Sequence, residues 1–246
     1  MPTIIKTTTP PLPGKVYLVG AGPGAIDLIT VRGAKLLAQA DVVLYDALVC
    51  AEMLTLCPQA QLVAVGKRAG QRSVAQEAIN QQIISAAQQH AFVVRLKGGD
   101  PMLFGRADEE LRALEDAGIS YEIVPGITTA FAAAASSRQP LTRRGIARSV
   151  AFFTSTNGLG EPEQENLPSC DTLVQYMGGR EAIATAERLL AQGYAPDMPI
   201  VAIENCSRPD ERIFRLTLAQ MVHGLPETSG PVLVMLGWAM APRHPI

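Results

Sequence analysis

From Lys15 onward, short apolar runs end in glycine and give way to helix-like stretches, several times over. "KVYLVG" runs into "AGPG", "AFVVRL" into "KGGDP", and "SYEI" into "VPGITT". A chain that alternates strand and helix builds a mostly parallel sheet, because parallel neighbours need a crossover, usually a helix. Glycines at strand ends let a backbone come close to another backbone or to a ligand. Ligands of open α/β sheets bind beyond the carboxyl ends of the strands. One pattern therefore points both to an α/β fold and to the glycine loops as a binding place.

The same pass divides the chain. Residues 1–14, rich in Thr and Pro, read as a flexible leader. Residues 15–137 read as an N-terminal α/β domain. In it, "TVRGAKLLAQA" is a helix capped by Thr30, with Val31, Ala34, Leu37 and Ala38 on one face. "DVVLYD" and "AQLVAVG" are strands, and between them "AEMLTLC" is a short helix closed by Pro58. "SVAQEAINQQIISAAQQ" is a helix capped by Ser73, with Val74, Ala78, Ile79 (or Gln81) and Ile83 inward. "GRADEELRALEDAG" is a helix whose acidic first half suits its dipole, and "TTAFAAAASS" is a small-residue helix. Residues 138–148 read as a linker before a C-terminal α/β domain, 149–246. That half holds the strands "SVAFFTST", "DTLVQYMGG", "PIVAIEN", "ERIFRLTL" and "PVLVMLG". One clear helix, "REAIATAERLLAQG", is stopped by Gly193. Fewer helices per strand imply a mixed sheet.

A formal net charge of −2 offers no basic field for nucleic acid. No apolar run is long enough to span a membrane and no signal core opens the chain, so a cytoplasmic protein is expected. Cys50, Cys57, Cys170 and Cys206 are scattered and read as reduced thiols. His90, His223 and His244 are far apart, and no metal is expected.

Gly20 to Ala25 fits the G-x-G-x-x-G/A pattern of a dinucleotide-binding turn, and Asp46 stands about 20 residues on, where a ribose-binding acid belongs. Against an NAD-dependent oxidoreductase, Pro23 follows Gly22, "GAIDLIT" lacks a helical pattern, and the first good cap is Thr30. The recurrence of glycine loops also favours a different ligand. Asp100, beside the paired glycines, could accept from a hydroxyl or an ammonium.

"VGAGPGAIDLIT", "ADVVLYDALV", "GKRAG", "VVRLKGGDPMLFGRADEE", "VPGITTAFAAAA", "PLTRRG", "LVQYMGG" and "IENCSRPDER" occur in this order. Together they resemble the uroporphyrinogen-III C-methyltransferases of the tetrapyrrole methylase superfamily, over nearly all of Lys15 to Trp238. The resemblance implies two α/β domains with a cofactor cleft between them, a homodimer, and S-adenosylmethionine as methyl donor. It implies methylation of two pyrrole carbons of uroporphyrinogen III to precorrin-2, a precursor of sirohaem, cobalamin and haem d1. The implied cofactor contacts are Pro23, Gly98, Gly99, Asp100, Leu103, Thr128, Thr129, Met177, Ala202 and Val232. The implied catalytic and substrate set is Arg106, Glu109, Asp46 and Arg144, with Arg143 and Met177 also toward the substrate. The family usually has His where this chain has Arg143 and Arg72, and "SPALIVIG" where it has "GPVLVMLG". These departures keep open a methyltransferase acting on another tetrapyrrole.

A sulfonium methyl donor is already activated and an electron-rich pyrrole carbon is itself nucleophilic. The protein has to align them and then accept a proton. The resemblance favours Arg106 for the proton, but a guanidinium stays protonated. Arg106 is better suited to pair with a substrate carboxylate, with Glu109, three residues on, or Asp46 orienting it or handling the proton. A carboxylate-rich substrate needs a cationic rim. Arg143, Arg144 and Arg148 form one cluster, and Lys67, Arg68 and Arg72 another that is as well explained as plain surface.

Overall fold

The computed structural model describes residues 14–65, 76–155 and 167–242. All of the expected leader but Gly14, the cap at Ser73 with Val74, His244 and the cluster of Lys67, Arg68 and Arg72 lie outside these residues. Among the described residues no helix is long and apolar enough to cross a membrane.

The chain divides into two compact units, Met1–Ile127 and Thr128–Ile246. The boundary falls ten residues before the expected one at 137, so the small-residue helix and the expected linker belong to the second unit. The first unit runs β1 (Lys15–Gly20), α1 (Val31–Leu37), β2 (Val42–Tyr45), β3 (Gln61–Ala64), α2 (Gln76–Gln89), β4 (Phe92–Lys97), α3 (Ala107–Asp116) and β5 (Tyr121–Val124). Its sheet has the order β3-β2-β4-β1-β5 and is parallel throughout. Val16, Leu18, Val42, Leu44 and Val93 pack on one face against Ile79 and Ile83 of α2 and Leu114 of α3. Val19, Val43, Val94, Leu96 and Val124 pack on the other with Leu37 and Met53. Both faces are covered, which is why these strands read as near-continuous apolar runs.

Thr30 caps α1, its side chain accepting from the Gly33 N–H. The buried face of that helix, however, is Gly33 and Leu37, and Val31 is 73% exposed. The helix is only two turns long and Val31 is its first residue, on the side away from the sheet. Ala78 and Gln81 of α2 likewise face outward, while Gln76, Ile79, Ile83 and Ala87 are inward.

The second unit runs α4 (Thr129–Ser136), β6 (Val150–Thr154), β7 (Thr172–Tyr176), α5 (Gly178–Ala191), β8 (Pro199–Glu204), β9 (Arg212–Thr217), α6 (Leu218–Met221) and β10 (Val232–Leu236). Its sheet order is β6-β7-β10-β8-β9, with only β6 and β7 parallel, the mixed sheet expected. Helix α5 begins at Gly178 rather than Arg180. A Cβ on Gly178 would come 2.8 Å from the Val234 side chain, so this glycine seats the helix start on β10.

Candidate active site

The loops that follow β1, β4 and β5 leave three neighbouring strands at the carboxyl end of the parallel first sheet. They are stitched together by backbone. Gly22 and Gly99 exchange N–H to carbonyl bonds of 3.2 and 2.7 Å. Asp100 accepts from the Gly126 N–H at 2.9 Å and from the Met102 N–H at 2.8 Å, so both carboxylate oxygens bind the loops themselves. A Cβ on Gly126 would stand 2.2 Å from the Gly99 carbonyl oxygen; only glycine allows the loops to close this far. Gly99 has φ +68° and nothing within 4 Å of where its Cβ would be, which leaves a bare peptide face. Pro23 and Leu103, both half-buried, belong to the same loops, and Gly98 packs against Leu48.

This geometry removes the support for a dinucleotide. The first loop continues into a 3-10 turn, Ile26–Leu28, and α1 starts only at Val31. The Gly22 N–H, which a pyrophosphate would need, donates to Gly99. Asp46, in the ribose-binding place, is bonded to Arg95 at 2.5 Å.

Arg95 belongs to a group that sequence reasoning missed. Arg95 and Lys97 point to the same side of β4, and both reach Glu110 of α3, at 3.0 and 2.9 Å. Burial and the charge of Arg95 push the Lys97 pKa down, with Glu110 pulling it back up. The signal was present: a central strand of a parallel sheet is covered on both faces, so charges in "VVRLK" have to find partners inside.

Arg106 is the N-cap of α3 and is left-handed, with φ 54° and ψ 28°. Its Nε and one terminal nitrogen donate to the two Glu109 oxygens, each at 2.7 Å, as the three-residue spacing leads one to expect. The pair is exposed. Hydrogen bonding to Glu109 raises the Arg106 pKa above its ordinary value, and hydrogen bonding to Arg106 lowers that of Glu109. A guanidinium held this firmly charged is unsuited to accept a proton.

In the second unit, Thr128 and Tyr176 join through their hydroxyls, and the Ala130 N–H also donates to the Tyr176 oxygen at 3.3 Å. Tyr176 thereby ties the start of α4, with Thr128 and Thr129, to the end of β7. The next residue, Met177, is left-handed at φ 57°, caps α5 and is 53% exposed, so it is not core filler. A non-glycine residue held in this region is uncommon. Val232, at the start of β10, packs against Gly179 of the same helix start. Ala202 is different. It lies inside β8, fully buried, paired on one side with Val234 and on the other with Phe214. Its side chain packs in the core, so any contact it makes with a ligand runs through its backbone.

The expected linker is a closed turn. Arg143 and Ala147 exchange backbone bonds of 2.7 and 2.8 Å around Gly145, and Arg144 stands exposed at the tip. Asp171 fastens the far side, accepting from the N–H groups of Arg148 and Ser149.

Known proteins share this pattern. Residues 15–222 match the family described as tetrapyrrole (corrin/porphyrin) methylases. A siroheme synthase of Yersinia pestis (strain Pestoides F) is 43% identical over 240 residues, 95% of this chain and 50% of that protein. The chain spans about half the length of the curated relatives it matches. The uroporphyrin-III C-methyl transferase of Thermus thermophilus, solved with S-adenosyl homocysteine, superposes with a TM-score of 0.82 at 40% identity, over 92% of this chain and 98% of that one. A cobalt precorrin-4 methyltransferase superposes with a TM-score of 0.77 at 30% identity, over 93% and 96% of the two chains.

Proposed function

Because the chain belongs to the tetrapyrrole methylase family, we propose that it methylates two pyrrole carbons of uroporphyrinogen III, by way of precorrin-1, to give precorrin-2. The observation that carries this reading is the stitched glycine platform with its bare face at Gly99. It fits S-adenosylmethionine: the bare glycine face lets a ligand lie close against the backbone, and half-buried Leu103 offers apolar contact. The solved relative that binds S-adenosyl homocysteine supports the same assignment.

When bound, S-adenosylmethionine supplies an activated methyl carbon, so the chain needs no nucleophile of its own. Its residues bind, orient and move a proton. Gly98 and Gly99 hold by backbone, and Asp100 keeps their loop in place. Arg106, kept charged by Glu109, pairs with a substrate carboxylate. Exposed Arg144, and Arg143 beside it, serve the same purpose. Asp46 takes the proton that the ring sheds, because Arg106 cannot. Met177 borders the acceptor. A homodimer in the cytoplasm completes the reading, on the family resemblance.

The test is turnover of anaerobically generated uroporphyrinogen III with S-adenosylmethionine, followed by product mass. A gain of two methyl groups is expected. A second reading, a methyltransferase for another tetrapyrrole, is favoured by Arg143 where the family usually has His. It predicts no transfer to uroporphyrinogen III while S-adenosylhomocysteine still binds by calorimetry.

A further inference from the structure

Asp46, Arg95, Glu110 and Lys97 form one connected chain of charges beneath the loop ends of β2 and β4. Three members are sealed: the side chains of Arg95, Glu110 and Lys97 are 2, 0 and 4% exposed. Only Asp46, at 27%, reaches the surface. Every arm of Arg95 is held. Nε donates to Glu110, one terminal nitrogen to Asp46, and the other to the carbonyls of Leu44 and Leu96 at 3.4 and 3.2 Å. Gln76 of α2 also reaches Glu110, at 3.4 Å.

Buried ion pairs contribute little net stability relative to well-packed apolar side chains, because desolvation offsets their attraction. What such a chain does provide is a fixed direction. The guanidinium is a rigid fork, and with its other nitrogens tied to two strands and a helix, its last arm can hold the Asp46 carboxylate in one place. Glu110 has a second effect. It anchors from inside the same turn of α3 that presents Glu109 and Arg106 outside.

We propose that Arg95, anchored by Glu110, is a positioning residue for methyl transfer. It sets the direction of the Asp46 carboxylate and holds it in register with the Arg106–Glu109 pair. This rests on the functional reading above, in which Asp46 handles the proton.

The test is a double-mutant cycle on the full chain, with kcat, KM and S-adenosylhomocysteine affinity measured for wild type, Arg95→Lys, Asp46→Asn and the double variant. Lysine keeps the charge but loses the fork. Arg95→Lys is expected to lower kcat about 10- to 100-fold, the effect of a small misplacement, with S-adenosylhomocysteine affinity within about twofold. In the Asp46→Asn background the same change is expected to add less than about threefold, since residues acting through one another are not additive. Independent, multiplying losses would overturn the proposal, as would wild-type kcat in Arg95→Lys. If Arg95→Lys does not bind S-adenosylhomocysteine, Glu110→Gln replaces it in the cycle, with the same non-additivity expected. Loss of binding in both variants would show the network to be scaffold alone and would overturn the proposal too. A wild type inactive on uroporphyrinogen III rejects only the substrate assignment, and the cycle is then read on the tetrapyrrole it does methylate. Acceptance of a methyl group by none rejects both.

Discussion

A methyl group added at either of two glycines of the platform disturbs folding and binding in different proportions. Gly126→Ala drives a Cβ against the Gly99 carbonyl and forces the loops apart. Overpacking of this kind is expected to cost about 1–3 kcal/mol in urea unfolding and to weaken S-adenosylhomocysteine as well. Gly99→Ala meets no atom and carries only the left-handed cost of about 1–2 kcal/mol, yet it covers the bare face, so affinity by calorimetry is expected to fall about tenfold or more. Met177→Gly relieves the same backbone strain in the second unit. It is expected to raise stability by about 1 kcal/mol while lowering turnover. Arg106→Met is expected to abolish turnover and spare S-adenosylhomocysteine binding. Residue by residue, the readable part of the site was local. The Arg106–Glu109 pair follows from spacing on one helix. The left-handed backbone at Arg106 and Met177 does not, because nothing in either side chain announces it. Ala202 is a position carried over from a motif, and its buried side chain leaves only its backbone for such a role.

Elements explain why other groups went unread. Asp108, Glu109 and Glu110 look alike as acids at a helix start, where the dipole favours all three. Only packing against β4 turns Glu110 inward and makes it the centre of a buried network. In the second unit, Glu204 at the end of β8 accepts from the N–H groups of Ser229 and Gly230 and from Arg212 of β9, clasping the approach to β10. Burial pushes its pKa up, but the Gly230 N–H, Arg212 and the Ser229 N–H outweigh it, and the net shift is downward. With a folded pKa below the unfolded value of about 4.3, the clasp contributes fully above that pH and is lost as pH falls through the folded pKa. Glu204→Gln is therefore expected to cost about 2 kcal/mol at pH 7, and the difference from wild type in thermal or urea unfolding should shrink below about pH 4.

At the scale of the molecule, the α/β class, the parallel first sheet and the mixed second sheet were legible, because strand period and helix frequency survive without tertiary detail. The division of the chain was less so: the turn at Arg143–Ala147 has a linker's composition but is closed by its own backbone and fastened to Asp171. With a net charge of only −2, attraction for the acidic substrate proposed above has to be local. The acceptor KM is thus expected to rise as salt shortens the Debye length from about 10 Å at 0.1 M to 3 Å at 1 M, with S-adenosylhomocysteine affinity nearly unchanged. The order of the first sheet has a further consequence. β1 lies between β4 and β5, with Lys15 opposite Phe92 and Val16 opposite Tyr121. During synthesis at about 5–20 residues per second, β1 leaves the ribosome roughly 5 s or more before both neighbours exist. Until then it is an apolar ribbon open to wrong pairing with other nascent chains. A chaperone that shields residues 15–20 early would therefore improve the yield of folded protein more than one that acts after release.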